Sequence, residues 1–194
     1  MLKLLNVLHF SLSLKRILPS QLPLSTKIFI YKSYVLSTLL YACEIWSPSL
    51  EDLSSLENFQ KRCTKWLVPH GPYKDRLIKC KLLPISYLLQ MRDLLMINKL
   101  VNDVYDFSIN DHFNILYNEN LRSSKQPLFI IKKTRSVKSG NNFLIRALKC
   151  ANKLHISMPF NVFLIPCVFK YKLSESFYQL LINKYDEKFC KFAL

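Results

Sequence analysis

A chain of 194 residues, half of them apolar, can bury a substantial core, and that content excludes wholesale disorder. Its two glycines, Gly71 and Gly140, exclude dinucleotide fingerprints and phosphate loops, where several glycines let backbone N–H groups approach a phosphate. The net charge of +15, concentrated in two basic blocks, points to a polyanionic partner.

The first segment, Leu2 to Leu18, spaces its apolar residues as an amphipathic helix and stops before Pro19. It resembles a signal peptide only superficially, because Asn6, His9, Ser11 and Ser13 interrupt the apolar stretch and no small-x-small cleavage site precedes Lys15-Arg16. Ser25 is placed to cap a second helix whose inward stripe is Ile28, Tyr31, Val35, Leu39, Ala42 and Trp46, ended by Pro48. That stretch nearly has the length of a membrane span, but Lys32 and Glu44 lie inside it, so a soluble helix with no membrane role is expected. Tyr31, Tyr34, Tyr41 and Trp46 are read as core rather than base-stacking platforms.

Ser49, Glu51 and Asp52 form an acidic capping box for a third helix with Leu53, Leu56, Cys63 and Leu67 inward and Lys61, Arg62 and Lys65 outward. Val68-Pro69-His70-Gly71-Pro72 stops it. A short helix is expected over 74–81, and Pro84 then opens a longer one to about Tyr105, with Leu94, Ile97, Val101 and Tyr105 as its seam. Periodicity fails from Asp106 to Lys125, which reads as loop or disorder, whereas Pro127 to Ile131 is extended in character. Asn141 starts another helix through Leu154, and Leu173 to Ala193 holds a last one; Phe160 to Tyr171, interrupted by Pro166, is ambiguous. The expected fold is all-α, an irregular bundle of about five to seven helices. It is organised as a helical bundle over 1–105, a polar and basic linker over 106–140, and a C-terminal helical segment over 141–194.

Charge is concentrated in two blocks. Residues 61–100 carry nine bases against two acids, residues 101–120 carry only four acids, and residues 121–155 carry nine bases and no acid. Lys61, Arg62 and Lys65 share one helix face, a geometry that can follow a phosphate backbone, and Trp66 is the aromatic beside them. In the second block the candidates are Lys132, Lys133, Arg135, Lys138 and Arg146. The bland alternative for each is a solvated helix face or linker.

The six dispersed cysteines read as reduced core residues of an intracellular protein, nuclear or cytoplasmic. Cys63, His70 and Cys80 match no compact zinc spacing, and no metal or other cofactor is expected. The sequence holds no Asp-Asp pair, no nucleophile-elbow Gly-x-Ser-x-Gly and no His-Glu-x-x-His, so no catalytic constellation is expected.

Several residues occur in an order that resembles a segment found downstream of the catalytic core in reverse transcriptases of non-LTR (LINE-like) retrotransposons. They are Tyr31-Lys32-Ser33-Tyr34-Val35, Leu39-Leu40-Tyr41-Ala42, Trp46-Ser47-Pro48, Leu56-Glu57 with Gln60-Lys61-Arg62, and Leu82-Leu83-Pro84. A weaker echo follows in Thr134-Arg135, Phe143-x-x-Arg146, Asn152-x-Leu154 and Phe169-Lys170-x-x-Leu173, with Ala151 where the family has Trp. The resemblance implies thumb-like helices that flank a polymerase site without containing the family's Tyr-x-Asp-Asp turn. It implies RNA or an RNA–DNA hybrid as partner, bound without sequence preference, and a possible contact with a polymerase core or a second copy. A small helical protein-interaction module with no nucleic-acid role is the alternative.

Overall fold

The computed structural model describes residues 21–43, 50–102, 104, 114–115, 129–130, 143–157 and 160–185. Among these the chain is all-α apart from one two-residue antiparallel pairing. The expected helix over Leu2 to Leu18 and the Ser49 cap lie outside the described residues. The chain divides into two compact units, residues 1–89 with 181–191 and residues 90–180 with 192–194. Among the described residues the divisions, at 89/90 and 180/181, fall inside helices.

In the first unit, α1 runs Leu24–Ile30, widens into a π turn over Tyr31–Leu36 and closes over Ser37–Leu40. Its cap position is Pro23, not Ser25, with the Lys27 N–H donating to Pro23 O at 3.1 Å. It also ends sooner than the apolar stripe suggests. The Ser37 hydroxyl donates back to Ser33 O, and that of Thr38 to Tyr34 O at 2.6 Å. Such bonds compete with the backbone ladder and loosen the turn. Tyr41 is then extended and Ala42 left-handed at φ +51, a conformation that ends a helix. As a result only Tyr31, Val35, Leu36, Leu39 and Leu40 of α1 are buried. Tyr34 and Tyr41, expected in the core, are 54% and 73% exposed; Trp46 lies outside the described residues.

Helix α2, Leu50–Leu67, turns Leu53, Leu56, Phe59, Cys63 and Leu67 inward at helical spacing. Gly71, at φ +93, makes the bend that follows it. Helix α3, Tyr73–Cys80, packs against α2 and ends in a Schellman motif: the Lys81 N–H donates to Ile78 O at 3.1 Å and the Leu82 N–H to Leu77 O at 2.9 Å. Lys81 holds the left-handed position that glycine usually fills, and the flanking Leu77 and Leu82 are both buried. Helix α4, Ile85–Val101, starts directly after Pro84, and its buried face is broader and more polar than the expected seam. Ser86, Gln90, Asp93 and Asn98 are buried on it with Ile85, Leu89, Leu94 and Ile97, whereas Val101 is only half-buried.

In the second unit, β1 (Asn114–Ile115) pairs antiparallel with β2 (Phe129–Ile130), so a stretch read as loop contributes an extended dipeptide. Helix α5, Phe143–Ser157, packs on β2, and its Asn152 amide clamps the strand: the Phe129 N–H donates to Asn152 Oδ1 and Asn152 Nδ2 donates to Phe129 O, each at 2.8 Å. Ala151 is fully buried beside that clamp. Helix α6, Pro166–Lys184, begins seven residues before the expected Leu173. Pro166 does not interrupt it but opens it, where a missing N–H is harmless. The preceding loop is held by the Asn98 amide, which donates to Val162 O and to Leu164 O at 2.8 Å. Phe169, Leu173 and Phe177 are buried. No helix among the described residues is long and apolar enough to cross a membrane.

Of the cysteines, Cys43, Cys63, Cys80 and Cys150 are buried as expected, but Cys167 is exposed. Burial pushes the Cys63 and Cys150 thiols up to about 12, Arg62 opposing the shift at Cys63 and Asp93 adding to it at Cys150.

Candidate nucleic-acid interface

The basic end of α2 rests on a buried polar network that includes Glu57 and Gln60, two residues that the sequence order had singled out. Pro84 precedes α4 and offers no side-chain oxygen to its first N–H groups, so a cap must come from elsewhere. Glu57 supplies it from α2: Oε2 accepts the Ile85 N–H at 3.0 Å and the Ser86 N–H at 3.4 Å. Its other oxygen accepts the Tyr73 hydroxyl. The same hydroxyl lies 2.9 Å from Gln60 Oε1, and Gln60 Nε2 donates to Leu83 O at 2.9 Å. Burial raises the Glu57 carboxyl above its ordinary range, opposed by its bonds to Tyr73, Ser86 and Ile85 and by Lys61. Burial, then the nearby Glu57 charge, drives the Tyr73 phenol well upward. The network ties α2, α3 and the start of α4 into one rigid support.

Cations are arranged above this support. Lys61 Nζ lies 5.6 Å from the centre of the Tyr73 ring, and the Arg76 guanidinium carbon lies 5.8 Å from it. Arg76 bridges the two helices: Nη1 donates to Gly71 O at 3.0 Å and Nη2 to Lys61 O at 3.3 Å. Its Nε is buried with no hydrogen-bond partner among the described residues. Arg62 and Lys65 are exposed on α2, Lys79 is exposed on α3, and none of the three makes an ion pair among the described residues. Trp66 is half-buried beside Lys65.

The structure therefore places Lys61, Arg62, Lys65 and Trp66 on α2 and brings Arg76 of α3 to Lys61, with Lys79 on the same short helix as Arg76. Sequence reasoning expected the short helix that carries Arg76 and Lys79 but did not single out its bases as site residues. Its Lys74, Arg76 and Lys79 within six residues were the available signal.

Arg146 belongs to the second unit and has a different setting. Its Nε lies 3.1 Å from Asp93 Oδ2 and its Nη2 lies 3.2 Å from Asp93 Oδ1, a two-pronged pair with a buried carboxylate, and the guanidinium stacks 5.7 Å from Phe143. The guanidinium fork is turned to a protein carboxylate. Lys132, Lys133, Arg135 and Lys138 lie outside the described residues. No group of three or more His, Cys, Asp or Glu side chains is placed to hold a metal among the described residues. Compared with known proteins, the chain matches no family model, no curated protein and no solved structure.

Proposed function

We propose that this chain is a non-catalytic helical part of a reverse-transcriptase-like protein, and that its first unit binds the nucleic-acid backbone through α2 and α3. The observation that carries this reading is the pairing of exposed Arg62, Lys65 and Lys79 with a rigid buried support. Cations held on fixed helices can follow a phosphate backbone without recognising bases, as sequence-independent binding requires. The ordered resemblance to the region after the polymerase core supports the same partner, RNA or an RNA–DNA hybrid. Because the sequence contains no Asp-Asp pair, the proposed role is to flank a polymerase centre, not to form one.

The test is Arg62→Glu with Lys65→Glu. Both side chains are exposed, so folding should survive, while affinity for single-stranded RNA at low salt should fall by roughly tenfold or more. Unchanged affinity would reduce the patch to solvation. Purified chain that incorporated deoxynucleotides into a primed template with magnesium would overturn the non-catalytic role.

One observation favours a second reading, a protein-interaction module. Ile165, Val168 and Tyr171 are exposed in and just before α6, at 67%, 39% and 70%. A chain that stays a monomer by light scattering at high concentration, with a sharp thermal transition, would count against it.

A further inference from the structure

A cleft of about 240 Å³ lies in the first unit, beside the cations of α3. Its apolar side is formed by Leu24 of α1 and by Leu67, Val68 and Pro69, where α2 ends. Its polar side is formed by His70, Asp75, Arg76 and Lys79. The volume falls below that of sites for drug-sized ligands and equals roughly eight water volumes, the scale of one heteroaromatic ring with its substituents.

The charged rim of the cleft is net cationic. Arg76 and Lys79 face a single carboxylate, Asp75, and none of the three makes an ion pair among the described residues. Burial raises the Cys80 thiol at the end of α3, and the nearby positive charges of Lys79, Lys32 and Arg76 oppose the shift. Arg76 also reaches the α2 patch, through its bond to Lys61 O.

An apolar wall opposite a cationic rim suits a flat, weakly polar ring joined to phosphates. We propose that the cleft receives one unpaired base of a single-stranded polynucleotide, packed against Leu24, Leu67 and Pro69, with the adjoining phosphates on Lys79 and Arg76. This rests on the backbone-binding reading above and adds a preference to it. A duplex keeps its bases paired and stacked and cannot insert one, whereas a single strand can turn a base outward without sequence preference.

The test uses the full chain and a fluorescein-labelled oligouridylate, free or annealed to its complement, followed by fluorescence anisotropy. The single strand should bind roughly tenfold more tightly than the duplex. Lys79→Glu should weaken the single strand by about tenfold, and Asp75→Asn, which removes the carboxylate at the rim, should tighten it by about threefold. Both side chains are exposed, and circular dichroism verifies that the variants fold. Photocrosslinking with 4-thiouridine should mark the peptide spanning Leu67 to Lys79. Equal affinity for duplex and single strand, or crosslinks confined elsewhere, would overturn the cleft while leaving the Arg62 and Lys65 contact standing. No binding to either nucleic acid would overturn both.

Discussion

Glu57→Ala should be among the most damaging single substitutions in the first unit, although it deletes a side chain that sequence reading would treat as a solvated acid. The carboxylate is buried and accepts from the Ile85 and Ser86 N–H groups and from the Tyr73 hydroxyl. Alanine leaves the Ile85 N–H, bonded at 3.0 Å, without an acceptor in a buried setting, at a cost of about 1–3 kcal/mol. Ser86, at 3.4 Å, adds less, and Tyr73 keeps Gln60 Oε1 at 2.9 Å. The lost packing adds about 1 kcal/mol, so the total is about 3 kcal/mol. For a chain of this size that lowers the midpoint of thermal unfolding by roughly 6–12 °C. Urea unfolding followed by far-UV circular dichroism reads the difference directly. A loss within about 0.5 kcal/mol, the range of an ordinary surface change, would refute the capping role.

The same carboxyl sets a pH dependence. Burial raises its folded pKa above the unfolded value, so the folded state keeps the proton longer. The group's contribution to stability is highest below the unfolded carboxylate pKa and falls as pH rises to the raised folded value. Glu57→Gln should therefore gain stability relative to the parent across that window, and parallel pH profiles would contradict the assignment. Arg146→Ala should cost about 3 kcal/mol by removing the two-pronged partner of the buried Asp93, whereas Lys149→Ala, on an exposed position of the same helix, should stay within about 0.5 kcal/mol; equal costs in urea unfolding would refute the difference. Lys81→Gly should stabilise by about 1 kcal/mol and Gly71→Ala destabilise by about 1–2 kcal/mol, because both positions have positive φ and Gly71 has no atom within 4 Å of an added Cβ. Brief native treatment with iodoacetamide and peptide mass spectrometry should find Cys167 modified and Cys63 and Cys150 protected; early modification of the latter two would contradict their burial and raised thiols.

Much of the first unit was legible wherever helical period and local punctuation agree. Leu53, Leu56, Cys63 and Leu67 repeat at helical spacing, Pro69 to Pro72 cannot continue a helix, and Pro84 suits a helix start. The early end of α1 was not legible, because the choice of Ser37 and Thr38 to bond back to carbonyls depends on local geometry, not on residue type. Nor could Pro166 be read correctly from its neighbours, since one proline can equally close a helix or open the next. Long-range polar partners were hidden for a different reason. Glu57 caps a helix that starts 28 residues later, and Asp93 meets Arg146 across 53 residues, distances over which pattern carries no pairing information. For the site, Lys61, Arg62, Lys65 and Trp66 were visible as a helix face, but their continuation onto Arg76 and Lys79 required the packing of α3 on α2.

The proposed binding is electrostatic, so its salt dependence is the most direct measure of it. Filter binding of single-stranded RNA between about 50 and 200 mM NaCl should give a log–log slope of roughly −2 to −3, as expected for three or four neutralised phosphates, and Arg62→Glu with Lys65→Glu should flatten it. Absence of binding at the lowest salt, or affinity indifferent to both salt and the double substitution, would contradict the proposal.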